Sequence, residues 1–290
     1  MPSGIKNLFL LFVLSLLLAG FTFVPGKIIL QTDEDPVFFL NERTYLKKLE
    51  IKTLILSNLT LAWNDSPDIL IKQRKTLNTL KNNSLNVYMR IDLNEDLPKW
   101  DDPDWVNVNN SIKKIISEAK ASGIQGVIIN TDTGRLWSPA YNPNQLWNPD
   151  FNMRYKDISD SFAEQIIYQR GREIAQAIKD AHPRIEIAVY PVGPAEPVSK
   201  NYTYWHHFVN GMLSTKQQIQ LIANAQNTQS VQAAAQSVEN LLDSKTISIL
   251  PLFQSKNTEP YNFEELQNNY TSYILPYRFH DLLQLLGAAI

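Results

Sequence analysis

Short runs of branched apolar residues alternate along this chain with longer amphipathic stretches, and that alternation limits the available folds more than any other feature. Ile51–Ser57, Leu85–Ile91, Gly126–Asn130, Ile185–Tyr190 and Thr246–Leu250 read as strands, being short, apolar and rich in β-branched residues. Gly126–Asn130 lacks polar alternation, as expected of a strand covered on both faces. Between the strands, Ile69–Leu80 reads as a helix. A second helix starts at Asp102 as N-cap with Pro103 at its first position, carries Val106, Ile112, Ile115, Ile116 and Ala119 on one stripe, and stops at Gly123. A third opens with the capping-box spacing of Ser161 and Glu164 and runs to Ala181. Gln217–Leu242 is Gln- and Ala-rich, with Val231, Ala234, Val238 and Leu241 at helical spacing, and Phe263–Leu286 is mostly helical, with a candidate sixth strand at Tyr273–Pro276.

Strands separated by helices form a parallel sheet with right-handed crossovers. Two closures meet that rule, an open doubly wound sheet and a (β/α)-barrel of the TIM type. No glycine-rich turn follows the first strand, so the nucleotide-binding open sheet loses its main support. Two aromatic loops follow strand ends, which is where barrels build their sites. Thr131–Asp157 carries Trp137, Tyr141, Trp147, Phe151 and Tyr155; the segment after Tyr190 carries Tyr202, Tyr204, Trp205, His206 and His207. The expected fold is therefore an α/β barrel. Five strands fall short of the eight of a full barrel, so the barrel is incomplete or holds strands that the sequence does not mark.

Residues 1–26 read as a unit apart from the barrel body, 27–290. Leu8–Val24 is apolar apart from Ser15, Gly20 and Thr22, follows Lys6, and ends at Pro25-Gly26. That length is short for a membrane span, which needs about 20 residues, and it resembles a signal-peptide core. Cleaved signal or anchoring helix in the inner membrane, either reading places the body outside the cytoplasm, in the periplasm or secreted.

Composition removes several chemistries. With no Cys, disulfide scaffolds, thiolate zinc sites and Cys nucleophiles are excluded. Twenty-seven Lys and Arg against 29 Asp and Glu, without a long basic run, give no electrostatic reason to expect nucleic acid. There is no Gly-x-Ser-x-Gly elbow and no Gly-x-x-x-x-Gly-Lys loop, so serine-hydrolase and P-loop chemistry lack support. His206 and His207 are adjacent and point apart, and no His-x-x-x-His spacing occurs, so no metal or other cofactor is implied.

The polar residues at strand ends are the functional candidates. Arg90 and Asp92 end one strand, Asn130 and Asp132 the next, and Glu196 follows the fourth. In a parallel barrel such ends converge on one mouth. Carboxylates meeting there can divide acid and base roles, one protonating a leaving oxygen while the other attacks or activates water, as glycoside cleavage requires. Asp132, Asp92 and Glu196 are the catalytic candidates on this reading, with Arg90 and Asn130 orienting substrate. Trp137, Trp147, Tyr204 and Trp205 offer flat faces for stacking on sugar rings. Plainer roles exist for each: Asp132 capping a turn, Asp92 pairing with Arg90, Glu196 as a solvated loop charge, the aromatic residues plugging the barrel.

From about Asp35 to Leu213 the chain resembles a poorly characterised family of bacterial exported proteins with a glycoside-hydrolase-like TIM barrel. The likeness is carried by Thr44–Glu50, by Asn86–Asp92 followed by Asp102-Pro-Asp-Trp105, by Gly123–Asp132, and by Tyr168–Ile174 with Phe208–Leu213. Where that family's pattern places an acidic pair with glutamate, this chain has Asn130-Thr131-Asp132, and the likeness lapses from Ser214 onward. The resemblance implies a carbohydrate substrate, acted on by a glycosidase or bound by a non-catalytic relative in the cell envelope.

Overall fold

A computed structural model of the chain describes residues 28–32, 36–41, 43–48, 51–93, 97–131, 159–190, 200–224 and 247–254. Seven parallel strands follow one another around a ring: β1 (Ile28–Thr32), β2 (Ile51–Ala62), β3 (Asn86–Asp92), β4 (Gly126–Asn130), β5 (Glu186–Tyr190), β6 (Ile219–Asn224) and β7 (Ile247–Gln254). β7 pairs back onto β1, with Leu30 opposite Phe253, so the sheet closes into a barrel. Outside it lie α1 (Pro36–Asn41), α2 (Arg43–Lys48), α3 (Asp68–Asn82), α4 (Trp105–Ala121), α5 (Asp160–Ala181) and α6 (Lys200–Leu213). The expected α/β barrel is the fold, closed by seven strands among the described residues. The candidate N-terminal helix, the helix at Phe263–Leu286 and the strand at Tyr273–Pro276 lie outside those residues.

Two strands have no counterpart in the sequence reading. β1 follows the apolar N-terminal stretch so closely that its five residues merge with it. β6 occupies the start of the Gln/Ala-rich run expected to be helical from Gln217, where Ile219, Leu221 and Ala223 alternate with polar or branched neighbours in the two-residue period of a strand. β7 runs past Pro251, which forfeits one donor without interrupting the pairing on either side. Helix starts also differ. α4 begins at Trp105, with Asp102 capping the preceding turn instead by accepting the Asp104 N–H at 2.9 Å. Ser159, not Ser161, stands at the start of α5, and the Ser161–Glu164 box does not form; Glu164 instead lies 3.6 Å from His207.

Two apolar sets result from this closure. The larger fills the layer between strands and helices, with Trp105, Val108, Ile112, Ile115, Ile116 and Ala119 of α4 buried against Val127 and Ile129 of β4 and their neighbours. Each such aliphatic side chain contributes about 1.5–3 kcal/mol through its burial. The smaller set, Ile55, Tyr88, Ile128 and Ala188 with Tyr190 against it, fills the barrel interior. β2 changes parity along its length. Leu54 and Leu56 face the helices, and so do Leu59 and Leu61, because an irregularity between Ile55 and Thr60 inserts extra residues against β3.

Candidate functional site

Strand register stacks the interior in levels. At the mouth, Ala62, Asp92, Asn130 and Tyr190 stand opposite one another on four successive strands. One level deeper come Thr60, Arg90, Ile128, Ala188 and Gln220, and below them Ile55, Tyr88, Gly126 and Glu186. Neighbouring strands lie about 4.8 Å apart, so side chains on one level are within reach of each other.

Three of the sequence candidates come together there. Asn130 donates from Nδ2 to Asp92 Oδ1 at 2.7 Å, and Arg90 donates from Nη2 to Asp92 Oδ2 at 3.2 Å. Arg90 Nε also lies 2.8 Å from Asp92 Oδ1, yet its N–H is directed off that line, making it a close ion contact and not a formed hydrogen bond. The side chains of Arg90 and Asp92 are 28% and 24% exposed, so the pair is open to the mouth, while Asn130, level with Asp92, is buried. Backbone bonds fix the rim: Leu93 N–H donates to Asn130 O at 2.9 Å, Trp63 N–H to Asp92 O at 3.1 Å, and Thr131 N–H to Tyr190 O at 2.7 Å. Thr131 Oγ1 reaches the same Tyr190 oxygen at 3.3 Å. The cluster presents a carboxylate, a guanidinium and an amide in fixed relation, joining strong donors and an acceptor suited to the hydroxyls of a polyol.

Tyr190, absent from the sequence candidates, shares the level of Asp92 and Asn130 and packs on the apolar interior beneath. The strand-end argument that picked out Asn130 applies equally to Tyr190, the last residue of its strand. The barrel floor was also missed. Tyr88 Oη donates to Glu186 Oε2 at 2.5 Å and lies 3.3 Å from Gln220 Oε1, while Gln220 Nε2 donates to Glu186 Oε2 at 2.9 Å. Burial, reinforced by the facing Glu186 carboxylate, holds Tyr88 ionisation far above the ordinary tyrosine range. Gly126 makes room for this ring, since a Cβ there would lie 2.5 Å from Tyr88 Cζ. The alternation Tyr88, Arg90, Asp92 was visible in sequence, but its partners on other strands lie 38 to 132 residues away.

The other candidates are placed elsewhere. Tyr204 and Trp205 belong to α6, not to a loop, and each is 1% exposed within the core between helices and barrel. Neither offers a face to a ligand, which corrects their assignment as stacking residues: helical spacing turns them inward together with Phe208 and Val209. Asp132, Trp137, Trp147 and Glu196 lie outside the described residues. Among the described residues, no three His, Asp or Glu side chains are grouped to hold a metal ion, and no helix is long and apolar enough to cross a membrane.

No known protein family and no curated protein matches the sequence. Solved structures resemble the fold at low identity. A sugar phosphate isomerase/epimerase from Parabacteroides distasonis is 11% identical over 87% of this chain and 94% of its own, with a TM-score of 0.49. An intracellular xylanase from Thermoanaerobacterium saccharolyticum, in complex with xylotriose, is 12% identical over 86% and 83%, at 0.43. Morphinone reductase in complex with tetrahydroNAD is 10% identical over 85% and 81%, at 0.45. Carbohydrate enzymes are thus among the neighbours, but so is a reductase, and likeness at this level assigns no activity. The barrel itself rests on this chain's own strand pairing.

Proposed function

We propose that this chain is a carbohydrate-active barrel that takes a sugar at its mouth and hydrolyses a glycosidic bond there, with Asp92 and Asp132 sharing the acid and base roles. The observation that supports the reading is the Arg90–Asp92–Asn130 cluster at the C-terminal ends of adjacent strands, level with Tyr190. Arg90 and Asn130 hold the Asp92 carboxylate in one orientation, Tyr190 supplies a ring face beside it, and Asp132 follows Asn130 by two residues. Glu196 is the alternative second carboxylate. Hydrolysis of a panel of oligosaccharides by the full chain tests this. Asp132→Asn and Asp92→Asn are each expected to lower the rate by 100-fold or more, on the order of what a positioned acid or base supplies. Unaltered hydrolysis in both variants would refute it.

One observation favours a binding-only reading of the same mouth: both Asp92 oxygens are already engaged by Arg90 and Asn130. That reading expects sugar binding without cleavage, retained in Asp132→Asn and lost in Asn130→Ala. The N-terminal stretch 8–24 accompanies either reading as an export signal or inner-membrane tether, tested by whether the protein fractionates with periplasm, medium or membrane and by N-terminal sequencing of the mature chain.

A further inference from the structure

A groove of about 560 Å³ runs along the outer wall of the barrel, on α5 where it passes α4. Its α5 lining recurs once or twice per turn, at Gln165, Tyr168, Gln169, Arg172, Gln176 and Asp180, spanning about four turns or roughly 22 Å. α4 supplies the opposite shoulder with Asn109 and Lys113. Charges in it are balanced: Lys113 Nζ holds Asp180 at 3.0 Å, and Glu173 is taken by Arg170 at 2.8 Å and by Gln169 at 2.7 Å. Arg172 is exposed and has no carboxylate partner among the described residues. The groove thus presents an aromatic ring, amides and a forked donor, with no net charge on its lining.

We infer that this groove is a second binding site, for a linear uncharged polysaccharide lying along α5. Hydroxyls accept from Arg172, exchange hydrogen bonds with Gln165 and donate to the amide oxygen of Gln176, whose Nε2 is held by Asp180 Oδ1 at 2.6 Å, while Tyr168 offers part of its ring to a sugar face. The rise of one helical turn, about 5.4 Å, is close to the length of one pyranose in an extended chain, so successive turns can address successive sugars. A phosphorylated or uronic chain would meet Asp180 and Glu173 as well as the cations, and gains nothing overall. The choice of ligand rests on the carbohydrate reading of the mouth, whereas the site is separate from it.

Titration calorimetry of the full chain with xylohexaose, cellohexaose and an oligogalacturonate, on wild type, Tyr168→Ala/Arg172→Ala and Asp92→Asn/Asn130→Ala, tests the inference. The expected result is neutral hexaose binding that weakens about tenfold or more in the groove variant and persists in the mouth variant. Binding lost only in the mouth variant overturns the groove site and leaves the mouth reading standing. Preference for the oligogalacturonate overturns the uncharged class, and no binding to any probe overturns the groove site, the mouth reading being decided by its own hydrolysis test. Far-UV circular dichroism and an unchanged Tm confirm that the groove variant is folded, since both substituted side chains reach solvent.

Discussion

Placing a methyl group on Gly171 tests how closely α5 and α6 approach. The two helices meet backbone to backbone and reciprocally. A Cβ on Gly171 would lie 2.8 Å from the carbonyl carbon of Phe208 and closer still to its oxygen; one on Gly211 would lie 2.8 Å from the carbonyl carbon of Tyr168 and 3.0 Å from Arg172 N. Ordinary contact begins near 3.4 Å, so in either variant a peptide unit must retreat by at least about 0.6 Å. Two effects oppose each other. Alanine gains about 1 kcal/mol over glycine within a helix. Overpacking costs about 1–3 kcal/mol, and the upper end applies because the obstacle is backbone, which has no rotamer to change. The net expectation for Gly171→Ala is a loss of about 2 kcal/mol, read as a Tm lower by roughly 4–8 °C. Gly211→Ala should behave alike. The double variant should lose less than the two losses combined, because helices already separated by one methyl accommodate the second. Thermal and urea unfolding followed by circular dichroism measure all three. A Tm equal to or above wild type for Gly171→Ala, or strict additivity in the double variant, would refute the reasoning.

Other expectations concern the barrel interior and the α4 approach. Tyr88→Phe removes the donor to Glu186 and should lower stability by about 1–3 kcal/mol, measured by urea unfolding at pH 7. Because Tyr88 ionisation is raised in the folded state, its contribution is complete below about pH 10 and lost as pH climbs further, so the alkaline fall of stability should be shallower in Tyr88→Phe; parallel curves would exclude that linkage. Gly126→Ala drives a methyl against a ring whose hydroxyl is already tied, and should cost about 2 kcal/mol, with a wild-type urea midpoint as the contrary result. Arg170 donates to Trp100 O at 2.8 Å and to Asp102 O at 3.3 Å, pairs with Glu173, and lies over the Trp105 ring. Arg170→Lys should therefore be nearly as destabilising as Arg170→Ala, about 2–4 kcal/mol, since a point charge cannot serve a fork of acceptors; a Lys variant with wild-type Tm would contradict this.

Legibility in the sequence followed the range over which each signal acts. β3, β4 and β5 were visible because they are short apolar runs bounded by Gly, Pro or Asp, and α4 because Ile112, Ile115, Ile116 and Ala119 mark its buried stripe; Val106, read onto that stripe, is instead 58% exposed, and Val108 is the valine that faces the core. β1 and β6 were hidden because each adjoins a segment with a stronger signal of another kind. At the mouth, Arg90, Asp92 and Asn130 were found by a strand-end rule that needs only topology. Tyr204 and Trp205 were misplaced because three prolines and a run of aromatic residues suggest a loop, while the helical spacing that buries them shows only when the segment is aligned on Phe208 and Met212. The runs Tyr168–Ile174 and Phe208–Leu213, which carry much of the family resemblance, supply the glycine crossing and the Arg170 clamp, so part of that resemblance reports how the helices dock and not what the mouth does.

Inside the barrel, Ile128 and Ala188 share a level with Arg90 and Gln220, and Ile55 shares the next level down with Tyr88 and Glu186, so apolar and polar side chains fill the same two levels below the mouth. The described interior is thus occupied by side chains tied to one another, with Tyr88, Glu186 and Gln220 bonded below the mouth cluster, and is not an open channel. A polymer cannot thread side chains packed in this way, and any molecule that meets Asp92 does so from the rim.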